Sequence, residues 1–188
     1  MADGAAVTTL LNRASMGHFV GTGTYRANKV GNLPGIEIPR TRFLGNVILN
    51  NPCTVFQVAN YISGGQGGRV LASGTANWLM GFYQTYINMY FANGWVYNPN
   101  TARHYSPIMY TCTQTGAVST FYSGSRQLAS NGSGVLAPGM LQLGGLSATG
   151  GNEPADCMVY EVIAYNRVLS AAELQIVWDY LRLRWVTI

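Results

Sequence analysis

The chain has 188 residues, with eleven basic and seven acidic side chains and a net charge of +4. Hydrophobic residues make up 48% of it and charged ones only 10%. That balance excludes intrinsic disorder, which needs low hydrophobicity and high charge, and leaves one folded domain large enough to bury a core. Lys29 is the only lysine, and the arginines are scattered, with pairs at 40/42 and 182/184 but no run. A nucleic-acid footprint is a clustered stripe, so no nucleic-acid partner is expected.

So few charges leave a surface of Ser, Thr, Asn, Gln, Gly and Tyr, which resists self-association weakly. Cover by protein neighbours or by copies of the chain itself is therefore expected. No apolar run reaches the 18 residues of a membrane span, so no membrane insertion is expected. The start Met1-Ala2-Asp3-Gly4-Ala5-Ala6 lacks a basic region followed by an apolar stretch, which reads as no secretion signal and as folding in a cytoplasm. Cys53, Cys112 and Cys157 form no CxxC pair. They read as three buried thiols, with a disulfide plus one free thiol as the alternative. His18 and His104 fall in no ligand spacing with them, so no metal and no cofactor are expected.

Residues 1–32 read either as an N-terminal arm or as divergent first strands. Val7, Leu10 and Leu11 suit the start of a short helix, whereas Gly17, Gly21, Gly23 and Gly31 suit an extended arm. After the Leu33-Pro34-Gly35 turn signal, Ile36-Glu37-Ile38 alternates as a short strand, with Pro39 at its edge or end. Asn51-Pro52 punctuates the start of Cys53–Tyr61, a run rich in β-branched and aromatic residues. A Gly-rich loop over 63–68 precedes strands at Arg69–Ala72, Trp78–Phe82 and Tyr86–Phe91. Asn93-Gly94 then predicts a type I′ hairpin turn into Trp95–Tyr97. Further strands are predicted at 106–112, 117–122, 126–128, 141–144 and 158–165. Short strands with turns every 8–12 residues are the pattern of an all-β sandwich.

The only helix predicted is the last element. Ser170-Ala171-Ala172-Glu173 is a capping box, in which hydroxyl and carboxylate each satisfy the other residue's backbone amide. Leu174, Val177, Trp178, Leu181 and Trp185 then form one apolar face. Arg182 and Arg184 lie where positive charge opposes the helix dipole favourably.

The run Tyr165-Asn166-Arg167-Val168-Leu169-Ser170-Ala171-Ala172-Glu173-Leu174, followed by Tyr180-Leu181, resembles the closing signature of laminin-G-like jelly rolls in the concanavalin A-like superfamily. The likeness spans Asp156 to Trp185. Pro52–Val58 resembles the family's central strand, and Thr120–Arg126 resembles its hairpin, with Ser123 where Asn is usual. The family's entry segment, a Trp and a polar Ser-Gly stretch, is missing. The resemblance implies an all-β, two-sheet antiparallel jelly-roll sandwich over 33–188, with one short C-terminal α-helix at 170–185. It further implies settings such as bacteriophage capsid and tail proteins or secreted bacterial multidomain proteins.

Some folds of this kind are glycoside hydrolases, whose paired carboxylates sit on one strand face. The seven acidic residues form no such Glu-x-Asp-x-x-Glu triplet, and no catalytic residue is expected. Glu153 and Asp156 are the one acidic loop pair, too few for the six or more oxygen ligands of calcium. Aromatic residues are the better lead for glycan binding. Strand alternation puts Tyr86, Asn88 and Tyr90 on one face and Ile87, Met89 and Phe91 on the other. The second set is the better core, so Tyr86 and Tyr90, with Trp95 beyond the turn, are the candidate outward ligand-binding residues. The expected function is a non-enzymatic virion component, a capsid decoration or tail attachment protein, made in the host cytoplasm. Its partners would be copies of itself or other virion proteins, with cell-surface glycan as a further ligand. The alternative is a carbohydrate-binding module of a larger secreted bacterial protein.

Overall fold

The computed structural model describes residues 1–11, 17–145 and 153–185. Strands run at β1 Ala6–Leu11, β2 His18–Val30, β3 Leu33–Pro39, β4 Phe43–Leu49 and β5 Cys53–Tyr61. They continue at β6 Leu71–Ser73, β7 Trp78–Tyr83, β8 Tyr86–Ala92, β9 Trp95–Tyr97 and β10 Thr101–Ala102. The last five are β11 Ile108–Gln114, β12 Ser119–Ser123, β13 Arg126–Asn131, β14 Gly139–Leu143 and β15 Asp156–Tyr165, before helix α1 Ala171–Trp185. All strand pairings are antiparallel, along the path β10-β8-β7-β6-β14-β4-β2-β3-β15-β5-β11-β12-β13, with β1 added to β2 and β9 to β8.

The path doubles over so that β7 and β8 face β5, β11 and β12. Their rings meet across the interior: Tyr61 lies 5.1 Å from Phe82, Phe82 5.3 Å from Tyr110 and Tyr90 5.2 Å from Phe121. This is the two-layer sandwich that short alternating strands predict. The residues expected to begin a helix or form an arm include Val7, Leu10 and Leu11, which lie in β1, paired to β2. The glycines of β2 have a different role from loosening an arm. A Cβ on Gly21 would sit 1.9 Å from the Arg42 carbonyl oxygen, so glycine is what lets β2 approach the chain entering β4.

Every residue of β5 is buried, because both of its faces are covered. Cys53, Val55, Ala59 and Tyr61 belong to the sandwich interior. Phe56 and Val58, with Met109 of β11, lie beneath the helix, against Leu174, Val177, Trp178, Leu181 and Trp185. The apolar face read from the sequence is thus the packed face. The Trp178 indole N–H donates to Thr111 Oγ1 at 3.0 Å, and that of Trp185 to Glu161 Oε2 at 2.6 Å. Glu161, otherwise isolated in its strand, also accepts from the Tyr180 hydroxyl at 2.8 Å. It is a helix anchor.

The capping box forms. The Ser170 amide donates to Glu173 Oε2 at 2.9 Å, and the Glu173 amide to Ser170 Oγ at a longer 3.4 Å. Arg167 adds a two-pronged pair to the same carboxylate at 2.9 and 2.7 Å. The Arg167 hydrogen bonds, followed by those from Ser170, hold the Glu173 carboxyl down at about 2 from a usual 4.5. Its contribution to stability is therefore complete above pH 4.5 and is lost as pH falls toward 2. Urea midpoints measured between those pH values should fall less steeply in Glu173→Gln than in the parent chain. Equal slopes would count against the box.

Candidate ligand-binding face

The three candidate residues do not share one environment. Tyr90 is fully buried, packed against Trp78 at 6.0 Å and Phe121 at 5.2 Å, and so is withdrawn as an outward residue. The reason is a β-bulge. Phe82 pairs with Ile87 and Gly81 with Met89, which leaves Asn88 as the extra residue, with φ at 63°. A bulge shifts the two-residue alternation by one. Ile87 therefore faces inward, and so do Tyr90 and Ala92 beyond it.

The same phase shift turns Phe91 outward. Phe91 pairs with Trp95 and Tyr83 with Tyr86, and directly paired residues project from the same face of a sheet. Tyr83, Tyr86, Phe91 and Trp95 thus form an outer aromatic row on β7, β8 and β9. Trp95 is 37% exposed and the other three are half-buried. Its ring lies 5.0 Å from Phe91, edge to face, and 5.7 Å from Tyr83. Phe91 is the member that uninterrupted alternation could not find, whereas Tyr83 simply alternates with the inward Trp78, Met80 and Phe82 of β7.

The connection that presents Trp95 is held from behind. Asn93 has φ at 57° but Gly94 does not share it, so this is not the predicted type I′ turn. A Cβ on Gly94 would lie 1.9 Å from the Ser133 carbonyl oxygen. Glycine is required there by close packing with the loop that follows β13.

Arg69 closes the other end of the row. Its side chain is 9% exposed and its guanidinium lies 5.6 Å from the centre of the Tyr83 ring. It donates to Glu153 Oε2 at 2.5 Å and to Asn77 Oδ1 at 2.9 Å. Burial, and then the neighbouring Glu153 carboxylate, push the Tyr83 hydroxyl pKa up, so it remains a neutral donor. The arrangement suits an apolar ring face on Trp95 with hydroxyls satisfied at the edge.

The acidic residues are all engaged within the fold. Glu37, Glu153, Asp156, Glu161, Glu173 and Asp179 each pair with an arginine, and Asp3 accepts from the Ala27 amide at 2.8 Å. Glu153 and Asp156, the acidic loop pair, go to different arginines, Arg69 and Arg40. Among the described residues no three of His, Cys, Asp and Glu gather to hold a metal ion. The three cysteines are free and buried, and burial pushes every thiol up, Cys53 to about 12. None is a thiolate nucleophile at neutral pH. No described helix is long and apolar enough to cross a membrane.

The fold and this face define a class, an antiparallel β-sandwich with an outward aromatic row. No family model matches the chain, and neither does any curated protein. Solved structures do share the fold. A Trypanosoma rangeli sialidase in complex with sialic acid aligns at a TM-score of 0.53 and 13% identity, over 95% of this chain and 33% of that one. A mutant of HCR/D aligns at 0.59 and 10% identity, over 95% and 52%. The binding domain of botulinum neurotoxin DC, in complex with SialylT, aligns at 0.51 and 9% identity, over 95% and 45%. The chain therefore spans between a third and about half of these structures. At such identities the likeness is one of fold, an all-β antiparallel sandwich.

Proposed function

We propose that this chain is a non-catalytic glycan-binding module of the laminin-G-like kind, working as a bacteriophage virion component on the capsid surface or the tail. The observation that carries the reading is the outward row Tyr83, Tyr86, Phe91 and Trp95, with Arg69 and Glu153 at its edge. Aromatic faces take the apolar side of a pyranose ring, and the pairing of each carboxylate to an arginine or an amide favours binding over hydrolysis. Part of a sialidase solved in complex with sialic acid, and part of a neurotoxin binding domain solved in complex with SialylT, share this fold, so sialylated glycans belong among the first ligands tried.

Assembly is supported by apolar side chains left on the outside. Val20, Ile48, Ile176 and Leu183 are 53%, 60%, 68% and 86% exposed, apolar surface that an assembly would remove from water. Copies of the chain, or other virion proteins, would cover them. In this reading the chain is made in the host cytoplasm and ends in the virion. A second reading, a carbohydrate-binding module of a larger secreted bacterial protein, is favoured by its spanning only part of the structures it resembles.

A glycan array followed by titration calorimetry tests the site. Trp95→Ala should weaken the best ligand by ten- to a hundredfold, on the scale of about 1–3 kcal/mol for a lost stacking platform. Unchanged affinity would remove the aromatic row from the proposal. Mass photometry separates the settings: a strict monomer with sharp sugar specificity favours the secreted module.

A further inference from the structure

The bulge that buries Tyr90 does something else. It carries Asn88 to the edge of a cleft of ≈ 330 Å³ lined by Ile87, Asn88, His104, Ser106, Ile108 and Ser123. The cleft lies between β8 of one layer and the start of β11 and end of β12 of the other. Ile87 and Ile108, each 4% exposed, form an apolar wall. The other four residues bring an amide, an imidazole and two hydroxyls, with no carboxylate and no arginine among them.

The geometry is held in place. The fully buried Tyr110 places its hydroxyl 3.0 Å from both the Asn88 amide nitrogen, from which it accepts, and Asn88 Oδ1, to which it donates. With Oδ1 so engaged, the Asn88 amide group keeps its Nδ2 hydrogens for an acceptor from outside. Arg103 fixes the loop that supplies His104 and Ser106. It donates to the Gly65 carbonyl at 2.9 Å and lies over the Tyr61 and Tyr105 rings at 5.9 and 5.5 Å. Asn88 is thus a left-handed bulge residue held in place by a buried tyrosine.

From this geometry we infer that the cleft is a second ligand subsite, distinct from the aromatic row, which takes one neutral hydroxyl-bearing ring such as a single pyranose. The volume lies at the low end for small-molecule sites, which run from about 300 to 1,000 Å³. One apolar wall with a few convergent hydrogen-bonding groups matches a ring with hydroxyls on its rim. The lining offers neither a carboxylate for a cationic ligand nor an arginine or lysine for an anionic one. The inference does not depend on glycan binding at Trp95.

The test is an amide NMR titration of the whole chain with methyl glycosides of glucose, galactose, mannose and N-acetylglucosamine. Saturating shifts are expected at residues 88, 104, 106 and 123, while the Trp95 indole reports separately on the aromatic row. Asn88→Gly keeps the positive φ that glycine tolerates and removes the side-chain amide, together with the bond its Oδ1 accepts from Tyr110, so its folding is checked first. It should weaken binding on the order of tenfold, the loss of about one good hydrogen bond. Should that variant fold poorly, Ser123→Ala, at a strand end, should still weaken binding several-fold. Absence of shifts at these four residues with every glycoside overturns the inference, and so do shifts confined to Trp95. Full affinity in the folded variants does the same.

Discussion

Trp178→Ala should lower the unfolding free energy by about 3–5 kcal/mol, the range for removing a buried aromatic side chain. Trp178 is only 7% exposed, lies 5.2 Å from the Tyr122 ring and ties the helix to β11 through Thr111. The helix covers Phe56, Val58 and Met109, so a cavity at its centre loosens the second apolar cluster as well. Trp178→Phe keeps most of the ring contact and gives up the indole hydrogen bond, and should cost nearer 1 kcal/mol. Urea unfolding followed by near-ultraviolet circular dichroism measures both. A loss under 1 kcal/mol for the alanine variant would make the helix an accessory rather than part of the core.

A loss of similar size is expected from Gln114, a polar residue in the sandwich interior. It is fully buried and joins three strands and a loop. Its Oε1 accepts from the Trp78 indole at 3.2 Å, and its Nε2 donates to Ser119 Oγ at 3.1 Å and to the Leu136 carbonyl at 3.0 Å. Gln114→Ala strands the indole N–H and the carbonyl away from water, at about 1–3 kcal/mol each, and opens a cavity besides. Gln114→Leu fills much of the volume but strands the same groups. Both variants should therefore be destabilised by several kcal/mol, with leucine the milder. If leucine matched the parent chain, the network would be neutral and packing alone would hold this end of the sandwich.

Much of the architecture is legible along the chain because it rests on local pattern. The capping box, the spacing of Leu174, Val177, Trp178, Leu181 and Trp185, and the β-branched run from Cys53 to Tyr61 each declare their element within a few residues. Strand β4 was not legible. Gly45 and Asn46 interrupt its alternation, and Leu44, Val47 and Ile48 are exposed where a half-buried strand would hide every second residue. The N-terminal strands were obscured in the same way, since glycine reads as looseness until the neighbouring backbone that demands it is in view.

The candidate site was legible only in composition. Tyr86 and Trp95 lie on the outer face as read, whereas Tyr90 does not, and Tyr83 and Phe91 take its place. The exchange of Tyr90 for Phe91 lies in one residue, Asn88. Alternation is a rule about a chain paired without interruption, and whether a strand carries a bulge depends on its partner, here the Gly81–Phe82 step of β7. By itself the sequence determined the class of fold, the helix with its cap and packed face, and a surface poor in charge, because these follow from short-range spacing and composition. Only the tertiary structure decided which aromatics meet solvent, what the carboxylates are paired with and where a cleft opens. Those outcomes are set by register between strands far apart in the chain, and register is a property of pairs.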